Sequence, residues 1–168
     1  MKKIVNIATG DENLYTPDFV KEKSGIKVIK ADSPETAVRD SDVIISCTQF
    51  KKNSDPQVVP EWVKEGSLAL PADVGSYWTP EGRDIMNMIY TDDIAQTVSF
   101  ADYGFFQGKS VRLDAEIGDV VTGTIPGRTS DSDRLMCINA GLSLYDIALA
   151  QRVYERAQKS GVGTLLQW

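Results

Sequence analysis

The chain has 168 residues, 42 % of them hydrophobic and 25 % charged, with a formal net charge of −6. These values suit one globular domain with a sizeable core, and the acidic balance excludes nucleic acid or an anionic membrane as a general partner, since both require a basic face. There is no histidine, so a cysteine–histidine metal cluster is excluded and no metal site is expected.

The first residues, MKKIVNIATGDENL, pair a basic start with an apolar stretch broken by Asn6, Gly10 and Asp11. That is too short and too interrupted for a signal peptide, and no apolar run approaches the length of a membrane span. The chain reads as cytoplasmic.

Ile4 to Ala8 is β-branched and short, which reads as a strand. Thr16-Pro17 offers a capping hydroxyl and a proline at a first helical turn, predicting a helix that ends near Gly25. Ile26 to Ala31 alternates and predicts a second strand. Ser33-Pro34 opens another short helix, ending before Asp42. Val43 to Thr48 is an apolar run without alternation, the pattern of a parallel strand covered on both faces. Glu61 to Gly66 bridges to a further buried strand at Ser67 to Leu70. The alternation of strands and helices is that of a doubly wound α/β sheet.

Thr79-Pro80-Glu81 starts a helical or turn segment, Met86 to Tyr90 a short strand, and Asp92-Asp93-Ile94 another helical piece. Phe100 to Arg112 is aromatic-rich and reads as an irregular loop packed on the body. Leu113 to Val121 predicts a short helix before a turn at Gly123 to Gly127. Ser130 stands three residues before Asp133, a capping-box spacing. Leu135, Ile138, Leu142, Tyr145, Leu149 and Val153 then recur at steps of three and four, predicting one long amphipathic helix to about Lys159. The division expected is a partial Rossmann-like domain over residues 1–128, completed by the long helix and tail of residues 129–168.

In open α/β sheets ligands bind at the carboxyl ends of the strands. Ser46-Cys47-Thr48-Gln49 and Pro71-Ala72-Asp73 stand at two such ends. Asp73 is either a turn-capping acid or a carboxylate facing a ligand as acid or base. Cys47 and Cys137 lie far apart in apolar runs, which reads as two buried free thiols rather than a disulfide. A dinucleotide site also wants G-x-G-x-x-G after a first strand, and that motif is absent. Asp11 reads as a turn residue or as an acid binding adenosine ribose hydroxyls. Arg128, after a Pro-Gly turn, is solvated, holds an acid or orients the loop.

Three stretches together resemble one family. EWVKEGSLALPADVGSYWTPE, EIGDVVTGTIPGRTSDSDR and INAGLSLYDIALAQRVYERAQKSGVGT follow the order and spacing of the ornithine cyclodeaminase/mu-crystallin family, over roughly Ile26 to the C-terminus. The resemblance implies a Rossmann-like α/β fold that binds NAD or NADP, and an amino-acid or imine substrate. It places the catalytic acid at Asp73 and the cofactor cleft at Thr48, with Asn139, Ala140 and Gly141 near the nicotinamide. It implies NAD-dependent deaminating cyclisation of ornithine to proline, with imine reduction, amino-acid dehydrogenation or a non-catalytic interaction role as alternatives. In that family a large part precedes the region matched by this chain and supplies substrate-binding basic residues, the glycine-rich turn and much of the dimer interface. The chain is therefore expected to be a C-terminal portion, inactive or incomplete by itself. It would form a homo-oligomer or pair with that N-terminal part, leaving an under-covered stripe on its last helix.

Overall fold

The computed structural model describes the backbone of residues 4–8, and residues 25, 28–52, 54–164 and 166. The helix expected from Thr16 lies outside the described residues. Six strands form one sheet: β1 (Ile4–Ala8), β2 (Val43–Cys47), β3 (Leu68–Pro71), β4 (Met88–Thr91), β5 (Ala115–Glu116) and β6 (Leu135–Ile138). Their order is β1-β2-β3-β6-β4-β5, and every pairing is parallel. Among the described residues, five α-helices connect or follow them: α1 (Pro34–Val38), α2 (Pro80–Asp84), α3 (Ile94–Asp102), α4 (Ile117–Thr122) and α5 (Ser143–Ser160). This is the α/β, Rossmann-like doubly wound parallel sheet with a long C-terminal helix that the sequence predicts.

Side chains alternate across a strand, so β3, β4 and β6 each feed two cores. Ile44, Ala69, Ile89, Met136 and Ile138 join Trp78 and Phe106 in one cluster. Leu68, Leu70, Tyr90, Leu135 and Cys137 join Ile117 and Val120 in the other. All four residues of β6 are buried, because strands flank it and side chains cover both of its faces.

The helix starts follow from their caps. Ser33 Oγ accepts from Thr36 N at 3.1 Å, Thr79 Oγ1 from Gly82 N at 2.9 Å, and Asp93 Oδ1 from Gln96 N at 2.6 Å. Each satisfies a donor that the first helical turn leaves free.

Four expectations need correction. Within Ile26–Ala31, residues 28–31 form no strand, and Ile29 is exposed; among the described residues no sheet edge pairs with this stretch. Alternation makes a strand only where a neighbouring edge takes its backbone groups. In the predicted helix Leu113–Val121, Ala115 and Glu116 instead pair with Tyr90 and Thr91 as β5, and α4 starts at Ile117. Ser130 caps no helix; Asp133 accepts from the Ser130 and Thr129 amides at 2.8 and 2.9 Å, closing a turn. The apolar stripe read as one long helix is two elements. Leu135–Ile138 is the strand β6, and α5 begins at Ser143 after a break at Gly141, whose φ is +85°. A short apolar run bears the same residues whether it is a buried strand or a buried helix turn. Residues 129–168 thus contribute a central strand as well as a helix.

Helix α5 carries no buried residue. Leu144, Ile147, Leu149, Val153 and Tyr154 are all more than half exposed. An under-covered helix was expected, and the described residues cover none of its faces. Among them no helix is long and apolar enough to cross a membrane.

Two outcomes follow from this packing. Met136→Ala in β6 should lower unfolding free energy by about 2–5 kcal/mol in a denaturant titration, the usual cost of truncating a buried large side chain. The exposed helix should bind an apolar fluorescent dye. Leu149→Glu with Val153→Glu should cut that emission and leave the unfolding midpoint in place, since neither side chain is buried.

Candidate functional site

Because every strand is parallel, every carboxyl end lies on one edge of the sheet. Cys47 and Thr48 leave β2 there, Asp73 leaves β3, Asn139 leaves β6 and Asp92 leaves β4. Asp11 lies outside the described residues.

Asp73 is not an exposed turn cap. It is 1 % exposed, and its carboxylate is fully engaged by its neighbour strand. Ser46 Oγ donates to Oδ1 at 3.0 Å. Thr48 Oγ1 and Thr48 N donate to Oδ2 at 2.7 and 3.3 Å. Trp78 Nε1 donates to Ser46 Oγ at 3.2 Å, leaving the Ser46 proton directed at Asp73. A buried carboxylate needs such donors to offset lost hydration.

Thr48 faces both ways. While its hydroxyl proton goes to Asp73, the residue lines a groove of about 400 Å³ together with Gln49, Lys51, Ser54, Ser76 and Tyr77. A larger cavity, about 530 Å³, opens beside α2 among Glu81, Asp84, Lys109 and Arg112 and holds none of the strand-end residues.

Burial, and then the charges of Asp55 and Asp73, push the Tyr77 phenol up, so it faces neutral solution protonated. Burial and then Asp73 likewise raise the Cys47 thiol. Burial raises Cys137 as well. Both cysteines are free, as expected, but only Cys137 is buried; Cys47, expected buried too, is half-buried at the strand end.

Asn139, Ala140 and Gly141 come together at the end of β6, next in the sheet to β3. The Asn139 amide donates to Cys137 O at 3.1 Å, and the Gly141 amide to Asp92 Oδ2 at 2.6 Å. Asp92 is buried and also accepts from Thr91 Oγ1 and the Asp93 amide. Sequence reasoning picked Asp73 because it follows a buried strand, and passed over Asp92, which follows β4 in the same way. Arg128 is exposed and donates to the Asp133 and Ser67 carbonyls, which ties the loop after the Pro-Gly turn to the start of β3.

The profile described as the ornithine cyclodeaminase/mu-crystallin family matches residues 11–161. The chain belongs to that family. The nodulation efficiency protein NfeD of Rhizobium meliloti is 30 % identical over 150 residues, which are 87 % of this chain and 45 % of NfeD. The alanine dehydrogenase of Archaeoglobus fulgidus is 31 % identical over 135 residues, 76 % of this chain and 41 % of that enzyme. The structure of Thermococcus litoralis Delta(1)-pyrroline-2-carboxylate reductase in complex with NADH and L-proline superposes with a TM-score of 0.75 at 20 % identity, over 98 % of this chain and 53 % of that one. At that identity the likeness shows the fold. This family member spans about half the length of the curated relatives it matches.

The Asp73–Cys47 proximity can be read directly. Asp73→Asn removes one of the two causes that raise the Cys47 thiol. More thiolate should then exist at pH 8, and alkylation of Cys47, followed by peptide mass, should run a few-fold faster than in the parent. An unchanged rate would show that Asp73 exerts no field at Cys47.

Proposed function

We propose that this chain forms the nicotinamide-nucleotide half of a family enzyme that moves a hydride to or from an α-amino acid or its imine. The observation that carries this is Thr48, which lines the strand-end groove while its hydroxyl is bonded at 2.7 Å to the buried carboxylate of Asp73.

The groove's groups fit NAD or NADP in kind. Gln49 has both a donor and an acceptor for a carboxamide, Ser54 and Asp55 suit ribose hydroxyls, and Lys51 suits a phosphate. Asn139, Ala140 and Gly141 would approach the nicotinamide from the end of β6. The glycine-rich phosphate turn is not among the described residues, and Asp11 keeps its proposed ribose role on sequence alone. The bound nucleotide supplies the hydride chemistry. The protein's own residues manage protons. Thr48 accepts a proton from an ammonium or iminium in the groove as its own hydroxyl proton passes to Asp73, and the reverse passage returns it. Asp73 is thus the base, reached through Thr48. Ser46 and Trp78 hold the carboxylate in place for that exchange.

The same groups serve the deaminating cyclisation of ornithine and the reduction of a cyclic imine. What favours the reductase reading is a sequence relative, the Delta(1)-pyrroline-2-carboxylate reductase of Bacillus cereus, 32 % identical over 183 residues. Alanine dehydrogenase, as a sequence relative, favours the dehydrogenase reading. The test is a fluorescence titration with NADH and NADPH, followed by turnover of ornithine with NAD⁺ and of pyrroline-2-carboxylate with NADH in the full-length protein. Saturable binding is expected. Absence of binding up to millimolar nucleotide, in the full-length protein also, overturns the reading.

In the active enzyme, Asp73→Asn and Thr48→Val should each lower kcat by on the order of 10²-fold, the scale of acid–base catalysis. The double variant should lose little more than either alone, because the two residues act as one relay. Thr48→Ser, which keeps the hydroxyl, should retain most activity.

A further inference from the structure

Two turns of left-handed backbone face each other behind the groove. In the turn that follows Asp73, Val74 has φ +53° and Gly75 φ +69°. In the loop after α3, Phe106 has φ +55° and Gln107 φ +57°. Three of these four residues carry side chains, and valine is β-branched, so this is backbone that surroundings must enforce. The turns pack closely: a Cβ placed on Gly75 would stand 3.2 Å from Phe106 Cε1.

One side chain links them. Arg83 is 3 % exposed. Its Nη1 donates to Trp78 O at 2.7 Å, to Gln107 Oε1 at 3.2 Å and to Gly75 O at 3.4 Å, and its Nη2 donates to Gln107 Oε1 at 3.2 Å. The guanidinium carbon lies 5.5 Å from the Phe106 ring centre. Among the described residues Arg83 forms no ion pair. Burial lowers its pKa to about 10. Its hydrogen bonds go to neutral oxygens, with Asp84 and Glu81 acting on it only at longer range, and a buried cation so held is expensive where apolar packing would be cheaper. What the guanidinium provides is a planar fork that meets several acceptors in fixed directions, which a lysine lacks.

The network continues to the groove. Gln107 Nε2 donates to Ser54 Oγ at 3.0 Å, and Ser54 Oγ donates to Ser76 O at 2.5 Å. Ser54 and Ser76 are groove residues. The path from the Gly75–Ser76 backbone through Arg83, Gln107 and Ser54 closes on itself.

We propose that Arg83 and Gln107 are a positioning pair that fixes the turn carrying Asp73 and, through Ser54, the wall of the groove. Neither touches a reactant. Their chemical consequence rests on the function proposed above; their structural consequence does not.

Amide hydrogen exchange at Ser76 and Trp78 reads the turn, since these amides donate to Asp73 O and Gly75 O. Gln107→Ala should speed exchange at both by on the order of tenfold, the effect of one lost hydrogen bond, with β6 amides unchanged. Gln107→Glu keeps the acceptor that faces Arg83 but not the donor to Ser54, and should exchange no faster than the parent at Trp78. Arg83→Met should match or exceed Gln107→Ala; if it does not fold, the two Gln107 variants carry the test. Unchanged exchange in Gln107→Ala, or acceleration spread equally through β2, β3 and β6, overturns the proposal. A parallel NADH titration separates the two readings. If the parent binds, Gln107→Ala should weaken binding several-fold, and Gln107→Glu, which lacks the donor to Ser54, should weaken it as well. If the full-length parent does not bind, the proposed function falls while the exchange result still decides the positioning role.

Discussion

Parallel pairing is the constraint on which the rest depends. A parallel strand must return to the same starting edge through a crossover, so every strand of this sheet delivers its last residue to one side. Four strand ends bring Thr48, Asp73, Asn139 and Asp92 to that side although nearly a hundred positions separate the first from the third in sequence. Nothing local in those segments draws them together. The sheet does it, and two buried clusters, one on each face, hold the sheet in place.

On that edge the polar groups are bound in adjoining pairs. Ser46 and Thr48 of the β2 end hold the carboxylate from the β3 end. Asp92 of the β4 end holds the amide of Gly141 beyond β6. Among the described residues, both acids accept from backbone and hydroxyl donors. These groups stand in for the water each carboxylate loses on burial. The buried cation Arg83 is held in the same manner, by carbonyls and an amide oxygen.

How much of this was legible depended on the kind of signal. Capping residues announced themselves: Ser33, Thr79 and Asp93 each precede a helix and bind its first turn, because capping is a contact within three or four residues. The apolar run at Val43 and the acid after Leu70 were legible for the same local reason. The strand β6 was not. Leu135 to Ile138 shares its residue types and part of its spacing with the helix that follows, and only insertion between β3 and β4 makes it a strand. Ile26–Ala31 failed in the opposite direction, with a strand's alternation but, over its described residues, no edge to join. Asp73 was legible as a site and illegible in its environment, since its three donors come from a strand about 25 residues earlier. Arg83 and Gln107 gave no signal, as their meaning lies in two turns with unusual backbone that come together only in the fold.

The place of β6 has a consequence for how the chain reaches this state. Strands β1, β2 and β3 form one parallel group and β4 with β5 another, and the two groups do not pair with each other; β6 lies between them and is the last of the described strands in sequence. During synthesis both groups must wait with an unpaired inner edge until residues 135–138 emerge. Such edges template association with other chains, and long-range parallel pairing is slow. The keystone of the sheet is therefore also its latest arrival, and the interval before it arrives is when a nascent chain of this design is most in need of a chaperone.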